Sequence, residues 1–281
     1  MCRHLGYLGP AAPVGELLTR GTHSLREQGW APRDMRGGGT INADGFGVAW
    51  WVREPGDTLR ASRYRNPAPI WTDPAVDEVL PQLWSTAVVA AVRSATVGMP
   101  VERSACAPFT YGRWAFSHNG VVRDWRRVLT EVAAEFGVPS LLDAESRTDS
   151  AALWVIVRGL LETPGTAVGQ AADSFRAHDP SVALARLARA VLARVPEARL
   201  NLLLSDGETL WATTVYHSLA VLVGEEAAVV ASEPYDDDPR WRAVPEGRVV
   251  TVRPGSLVIA SLAGDDRGGD YLEAESERAR S

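Results

Sequence analysis

Short apolar and alternating segments dominate the amino-terminal part of the chain, a pattern typical of β-strands. Strands are predicted at residues 3–9, 45–53, 58–64, 86–93 and 113–118. Residues 14–20 suit one or two helical turns, and a further helix is predicted at 74–84. Residues 21–44 are rich in glycine, proline and polar side chains, and loops of this length are usually functional or disordered. The pair Asn119-Gly120, directly after the last of these strands, predicts a tight turn.

The pattern then changes to apolar residues spaced three and four apart, which predicts helices at 123–137, 147–162 and 180–195. Thr148 or Asp149 is suited to begin the second helix, because both residue types cap helices well. Strand patterns return at residues 199–205, 208–214, 218–223, 227–232, 247–252 and 256–261. Asp206-Gly207 predicts a hairpin turn between the first two of them.

Strands at both ends of the chain with helices between them predict two packed sheets that carry helices on their outer faces. No linker or internal repeat is evident, so we predict one α+β domain over residues 1–263. Residues 264–281 are polar and charged, which predicts a frayed carboxy-terminal tail.

Composition excludes several classes of function. The net charge of −6 disfavours nucleic acid as a partner, since phosphate-binding surfaces are basic. No apolar run of about 18 residues is present, and no apolar segment follows Arg3 and His4 as in a signal peptide. We therefore expect a cytoplasmic protein without membrane contact. The chain contains no lysine, which excludes a Walker-type phosphate loop and a Schiff-base lysine.

Cysteine and histidine also set limits. Two cysteines, Cys2 and Cys106, do not form a disulfide framework, and Cys106 is interpreted as a buried or incidental thiol. The five histidines are scattered, and none has the spacing of metal ligands. The sequence therefore predicts no metal site and no cofactor.

Four segments carry candidate chemistry: MCRHLGYLG at the start, VRSATVG at 92–98, SHNGVV at 117–122 and SRTDSAAL at 146–153. Taken singly, each has an ordinary structural explanation. A cysteine at position 2 occurs by chance, Arg93 suits a surface ion pair, and Asp149 suits a helix cap.

Together, the four segments supply the groups that acyl transfer needs. If Met1 is removed, Cys2 carries a nucleophilic thiol and a free α-amine, whose reference pKa of roughly 7.7 to 8.0 suits a general base. The side-chain amide of Asn119 and the backbone N–H of Gly120 can stabilise an oxyanion. Arg93 can bind a carboxylate through two hydrogen bonds, and Asp149 can pair with an ammonium group. A carboxylate and an ammonium group held together form the α end of a glutamyl group.

These segments resemble the class II glutamine amidotransferases, a family of N-terminal-nucleophile hydrolases with a four-layer α-β-β-α sandwich fold. The family's arginine motif is matched by residues 93–98, its Asn-Gly pair by Asn119-Gly120 and its Thr-Asp pair by Thr148-Asp149. The resemblance implies two sets of functional residues: catalytic Cys2, Asn119 and Gly120, and substrate-binding Arg93, Thr96 and Asp149.

The chain also departs from the family pattern. Val97 stands where several synthases of the family have histidine, and Arg3 follows the nucleophile where many members have glycine. No second domain that would consume ammonia is evident in the sequence. These departures favour a stand-alone hydrolase over a synthase.

A narrower resemblance is to the ergothioneine-pathway amidohydrolases, a stand-alone subgroup that removes glutamate from γ-glutamyl-hercynylcysteine sulfoxide. It is carried by CRHLGYLG, NADGFGVAWW, VRSATVGMPVERSACAPF and ASEPYDDDPRW. It implies a small γ-glutamyl substrate and a thioester on Cys2. Asp44 and Gly45, within NADGFG, are expected to shape the pocket wall. The leaving group carries a trimethylammonium, which favours aromatic faces and carboxylates. Candidates for that contact are Trp114, Tyr235 and Asp236–Asp237–Asp238.

Two alternatives remain open. One is a free-standing glutaminase subunit that passes ammonia to a separate synthase. The other is a non-catalytic binding protein that has kept the fold, for which Cys2 would be dispensable. The oligomeric state is also left open, including a homo-oligomer.

Overall fold

The computed structural model describes residues 2–34, 36, 41–138, 140–162 and 179–264. Within these ranges the chain forms thirteen strands and five α-helices. The strands are β1 (Arg3–Pro13), β2 (Phe46–Arg53), β3 (Leu59–Asn66), β4 (Trp84–Val92), β5 (Phe109–Tyr111), β6 (Trp114–Val121), β7 (Arg199–Ser205), β8 (Leu210–Thr214), β9 (Ala220–Val223), β10 (Ala228–Ala231), β11 (Arg242–Ala243), β12 (Arg248–Arg253) and β13 (Ser256–Ser261). The helices are α1 (Val14–Thr19), α2 (Ala75–Glu78), α3 (Trp125–Glu135), α4 (Asp149–Glu162) and α5 (Pro180–Leu192).

The strands form two antiparallel sheets. The seven-stranded sheet has the order β11-β9-β10-β1-β4-β2-β3, and the six-stranded sheet has the order β13-β12-β8-β7-β6-β5. Side chains such as Leu8, Leu203 and Leu210 fill the space between the sheets. The other face of each sheet packs against helices, because successive residues of a strand point to opposite faces.

The two outer layers differ in the number and length of their helices. Helices α3, α4 and α5 cover the six-stranded sheet through a large cluster that includes Leu153 and Leu187. The short helices α1 and α2 cover the seven-stranded sheet through Leu17 and Val76, among others. The result is the predicted α+β sandwich with layers in the order α-β-β-α. None of the helices in the described ranges has the length and apolar content needed to cross a bilayer.

Most predicted elements are confirmed within a few residues. β1 extends to Pro13, beyond its predicted end, and β5 and β11 were not predicted. Asp206-Gly207 joins the paired strands β7 and β8, with Gly207 at a φ of +91°. The predicted tail, residues 264–281, lies outside the described residues except for its first residue. The domain boundary at residue 263 therefore stays a prediction.

One local prediction is wrong. Asn119-Gly120 does not form a turn but lies inside β6, where Asn119 pairs with Asn201 and Gly120 with Leu200 of β7. The Asn-Gly pair favours a turn only where the chain is free to reverse, and here seven residues of β6 pair continuously with β7.

The strand order brings three chain segments to one edge of the seven-stranded sheet. Cys2 directly precedes β1, which is flanked by β4 on one side and β10 on the other. Because the pairing is antiparallel, the beginning of β1 lies beside the ends of both neighbours. Arg3 pairs with Val92 and Leu5 with Ala231, so Arg93 and Ser232 lie on either side of the amino-terminal end of β1.

Candidate active site

Cys2 lies at the amino-terminal end of β1, where its thiol is half-buried. Its Sγ is 3.9 Å from the carbonyl oxygen of Ser94, in the segment that follows β4. The strand register explains this proximity, because the residue before Arg3 must face the residues after Val92. The nucleophile predicted from sequence is therefore next to the predicted arginine motif.

Asn119 reaches the same region from the six-stranded sheet and is completely buried. Its Nδ2 donates to Oγ of Ser232, 3.4 Å away, at the edge that carries Cys2. Its Oδ1 has no hydrogen-bond partner among the described residues. An amide nitrogen carries two hydrogens, so one N–H of Asn119 remains for an oxyanion.

Gly120 is required by close packing. A Cβ at this position would lie 1.9 Å from the carbonyl oxygen of Arg199 and 2.5 Å from Nε2 of His118. No side chain fits in that space, so glycine is explained here by steric contact with β7. Whether its N–H serves an oxyanion stays a prediction.

Arg93 is a buried cation with little compensation from the protein. Arg93 is only 9% exposed. Its Nη1 donates to the carbonyl oxygen of Asp44 over 3.4 Å, and no ion pair to Arg93 is formed within the described ranges. A guanidinium has five N–H donors, and burying one without a carboxylate is unfavourable. The geometry thus suits an anionic group supplied by a ligand.

Asp44 fixes the segment that holds Arg93. Its Oδ2 accepts from the backbone N–H of Ala95 over 2.7 Å, and its own N–H donates to the carbonyl oxygen of Arg93 over 2.9 Å. Thr96, two residues after Ser94, is exposed, and its carbonyl oxygen accepts from Met99. A substrate contact through the Thr96 side chain stays a prediction.

Asp149 is the buried first residue of α4, and both of its carboxylate oxygens are engaged. Oδ2 accepts from the backbone N–H of Val122, and Oδ1 accepts from that of Ser150, each over 2.9 Å. Thr148 caps the helix by accepting from Ala151 over 3.2 Å, as its position predicted. Oδ1 also accepts from Oγ of Ser150 over 3.5 Å, so Oδ2 is the oxygen with room for a further hydrogen bond. A contact of Asp149 with a substrate ammonium stays a prediction.

Sequence reasoning missed an acidic residue, Glu233, and its network. Glu233 follows β10 and is buried against Arg3 and His23. Burial alone would raise its pKa, but hydrogen bonding from His23, the charge of Arg3 and two backbone N–H groups lower that pKa to about 2. The only sequence signal was its place in ASEPYDDDPRW, a stretch whose chemistry was not evident without the fold.

The candidates for the leaving-group contact are separated by the fold. The ring centroids of Trp114 and Trp211 are 5.9 Å apart. Both rings belong to the cluster beneath α3–α5, on the face of the six-stranded sheet that points away from the other sheet. Tyr235 is buried and packs edge-on against Trp241, 5.2 Å away. The run Asp236–Asp237–Asp238 lines a cavity of about 500 Å³ together with Ser232, Glu233 and Trp241.

Cys106 is not a partner for Cys2. Its thiol is buried and donates to the carbonyl oxygens of Asn66 and Glu102, at 3.5 and 3.4 Å. Burial raises the pKa of this thiol to about 11, so it stays protonated at neutral pH. The interpretation of Cys106 as a buried thiol is confirmed.

Two buried histidines make the fold sensitive to mild acid. Burial, with nearby charges, lowers the pKa values of His4 and His217 to about 3. Both rings lack hydrogen-bond partners within the described part of the chain. Since the unfolded chain binds these protons near pH 6.5 and the folded chain does not, stability falls as the pH falls. We expect the free energy of unfolding to drop by about 3 kcal/mol between pH 6.5 and pH 5.

Urea unfolding across that pH range measures this drop. His4→Gln and His217→Gln should each remove about half of the pH dependence. A free energy of unfolding that is flat between pH 6.5 and pH 5 would contradict the expectation.

Comparison with known proteins identifies the family of this chain. Residues 22–226 match the family model described as glutamine amidotransferases class-II. A relative named γ-glutamyl-hercynylcysteine sulfoxide hydrolase, from Mycobacterium tuberculosis, is 39% identical over 93% of this chain and 97% of its own. A relative of the same name from Mycolicibacterium smegmatis is 37% identical over 93% of this chain and 100% of its own.

Solved structures share the fold. A glutamine aminotransferase class-II domain protein from Silicibacter pomeroyi superposes with a TM-score of 0.60 at 23% identity, covering 93% of this chain and 100% of that one. Glutamine phosphoribosylpyrophosphate amidotransferase from B. subtilis superposes with a TM-score of 0.57 at 14% identity, covering 92% of this chain and 49% of that one.

Proposed function

Because this chain belongs to the class II glutamine amidotransferases, we propose that it hydrolyses the γ-glutamyl amide bond of γ-glutamyl-hercynylcysteine sulfoxide, releasing glutamate and hercynylcysteine sulfoxide. The observation that carries the proposal is that Cys2 and Arg93 lie side by side at one end of the seven-stranded sheet, where Asn119 of the six-stranded sheet contacts Ser232. The similarity of relatives with that printed activity over 93% of this chain supports the choice of substrate.

The proposed reaction starts from Cys2 with a free α-amine. The amine takes the thiol proton, and Sγ attacks the γ-carbonyl carbon of the substrate. The oxyanion is stabilised by the free N–H of Asn119 and by Gly120, each donor contributing about 3 kcal/mol. Collapse of this tetrahedral intermediate breaks the C–N bond, and the ammonium of Cys2 returns its proton to the leaving amine. Water, deprotonated by the same amine, then attacks the thioester carbonyl. The C–S bond breaks, glutamate is released, and the ammonium returns its proton to the Cys2 thiolate.

The strand order orients the substrate. Arg93 follows β4 on one side of Cys2, and Ser232 follows β10 on the other. A substrate whose α-carboxylate contacts Arg93 therefore extends its leaving group towards β10. The cavity of about 500 Å³, lined by Ser232, Glu233 and Asp236–Asp238 among others, lies at that end of the sheet.

That cavity favours the larger substrate over glutamine. Ammonia, the leaving group of glutamine, needs no cavity of this size. Trp241 and Asp237 line the cavity; the Asp237 side chain is 86% exposed and, among the described residues, its ion pair is a 4.0 Å contact with Arg33. An aromatic face and a weakly paired carboxylate are the groups that favour a trimethylammonium.

A side-by-side hydrolysis assay tests the proposal. Protein lacking Met1 is supplied with γ-glutamyl-hercynylcysteine sulfoxide or with glutamine, and released glutamate is counted. We expect kcat/KM to favour the sulfoxide by about 100-fold or more, because glutamine lacks the groups that would contact the leaving-group cavity. γ-Glutamylcysteine, which keeps the γ-glutamyl amide but lacks the whole hercynyl sulfoxide group with its trimethylammonium, is the control and should fall between them. A preference for glutamine would instead support the glutaminase subunit, the second candidate that family membership allows.

A further inference from the structure

We propose that Arg3 and Glu233 form a positioning pair that holds the carbonyl group of Cys2 and thereby orients the nucleophile. The inference rests on the proposed function only in taking Cys2 as the nucleophile. It assigns a role to two buried charged residues that do not contact the reacting atoms in the proposed mechanism.

Arg3 contacts the nucleophile directly through the main chain. It is only 1% exposed, which is rare for an arginine. Its Nη1 donates to the carbonyl oxygen of Cys2 over 2.9 Å, and its Nη2 donates to the carbonyl oxygen of Asp34. Its Nε donates to Oε1 of Glu233 over 2.7 Å. One rigid guanidinium thus connects Cys2, the loop after α1 and the segment after β10.

Glu233 is fixed in turn by groups from several segments. Its Oε2 bonds to Nε2 of His23 over 2.6 Å and accepts from the backbone N–H of Arg33 over 2.9 Å. Its Oε1 also accepts from the backbone N–H of Asp34 over 3.1 Å. A carboxylate held by these three groups cannot turn away from Arg3, so the guanidinium is held as well.

The position of Cys2 in the chain explains why such a device is needed. Strand pairing begins at Arg3, so no ladder hydrogen bond holds Cys2 itself. After Met1 is removed, Cys2 is also the chain end, and chain ends are poorly ordered unless they are tied down. A hydrogen bond to its carbonyl oxygen restricts rotation about its Cα–C bond. That rotation sets where the amine and the thiol point relative to β1.

The adjacent residue connects the same segment to the oxyanion donor. Oγ of Ser232 accepts from the backbone N–H of His4 over 3.0 Å and from Nδ2 of Asn119 over 3.4 Å. The backbone N–H of Ser232 donates to the carbonyl oxygen of His4 over 2.9 Å. The Ser232-Glu233 dipeptide therefore contacts Asn119 directly and Cys2 through Arg3.

The test compares Glu233→Gln and Arg3→Lys with the parent protein, all lacking Met1. Glu233→Gln keeps the size of the side chain but removes its charge, and Arg3→Lys keeps the charge but removes the planar fork. We expect kcat to fall about 10- to 100-fold in each, because small misplacements of reacting groups cost about that much. KM of Arg3→Lys should change by less than about threefold, because Arg3 does not line the proposed leaving-group cavity and the proposed substrate clamp is on the β4 side of Cys2. Glu233 lines that cavity, so the KM test applies to Arg3→Lys alone.

A double variant and a control separate positioning from stability. If both residues act through one contact, Arg3→Lys with Glu233→Gln should be no slower than the slower single variant. The control is Asp73→Asn, which alters a buried carboxylate that accepts from Tyr64 over 2.7 Å and from Ala75 over 2.9 Å, beside α2. It should lower the melting temperature and leave kcat unchanged.

The rate of Cys2 alkylation by iodoacetamide, measured against pH, gives a readout that needs no substrate. We expect its pH profile to change in both positioning variants and to be unchanged in Asp73→Asn. Folded variants with parental kcat and an unchanged alkylation profile would overturn the proposal, as would a raised KM with parental kcat in Arg3→Lys. Because alkylation is independent of the donor, a wrong choice of substrate would alter the hydrolysis assay alone.

Discussion

Cys2→Ala is expected to abolish hydrolysis of every γ-glutamyl donor while leaving the fold intact. The loss should be roughly 10⁴-fold or more, because removal of a covalent nucleophile leaves only binding and oxyanion stabilisation. The thiol is half-buried and makes one long contact, 3.9 Å to Ser94, so its loss should cost little stability. Glutamate release measures the first effect, and thermal unfolding measures the second.

Cys106→Ala is the matched control for the thiol. Its side chain is fully buried, so alanine there should lower stability by about 1 kcal/mol or more and leave the rate constants near parental values. Hydrolysis by Cys2→Ala at a parental rate would exclude the thioester mechanism. It would return the non-catalytic protein, or a different nucleophile, to consideration.

Arg93→Ala is expected to raise KM on the order of 100-fold, because two charge-assisted hydrogen bonds to a carboxylate are worth about 3 kcal/mol together. Among the described residues, the buried guanidinium makes one long bond, 3.4 Å to the Asp44 carbonyl oxygen, so alanine removes little protein–protein contact. Steady-state kinetics with the proposed substrate give KM and kcat separately. Arg63→Ala is the control, since Arg63 pairs with Glu145 near the surface and should be kinetically silent.

A second substrate makes the Arg93 experiment specific. A donor whose α-carboxylate is replaced by hydrogen should bind the parent protein about 100-fold more weakly. Arg93→Ala should treat the two donors alike, because the group that distinguishes them is gone. If the variant still discriminates between the donors, the carboxylate binds elsewhere and the role predicted for Arg93 is wrong.

The outer helical layer was predictable in part because α3 is strongly one-sided. α3 buries Val128, Leu129 and Val132 and exposes the residues between them, so the spacing alone reveals the element. Strands β5 and β11 were not predicted, because strands of three and two residues are too short to show a period-two pattern. At Asn119-Gly120 the error was a predicted turn that does not form. The chemistry of the pair was recognised, but pairing with β7 overrode its local preference for a turn.

The Arg3–Glu233 pair could not be predicted from the sequence. The two residues are 230 positions apart, and each looks like an ordinary surface charge when only its neighbours are known. Arg93 was predictable because a short motif surrounds it. What the motif did not show is that Arg93 is buried with so little compensation from other protein groups.

The central position of β1 has a consequence for the order of events during synthesis. β1 pairs with β4 early in the chain, but its other neighbour is β10, and the partner of Leu5 is Ala231. At 5–20 residues per second, the ribosome needs roughly 10 to 45 s to make the intervening chain. During that interval one side of β1 has no partner strand, and the amino-terminal end is open to the enzyme that removes Met1. Maturation of the nucleophile and completion of the sheet are therefore separated in time by the topology, with maturation able to come first.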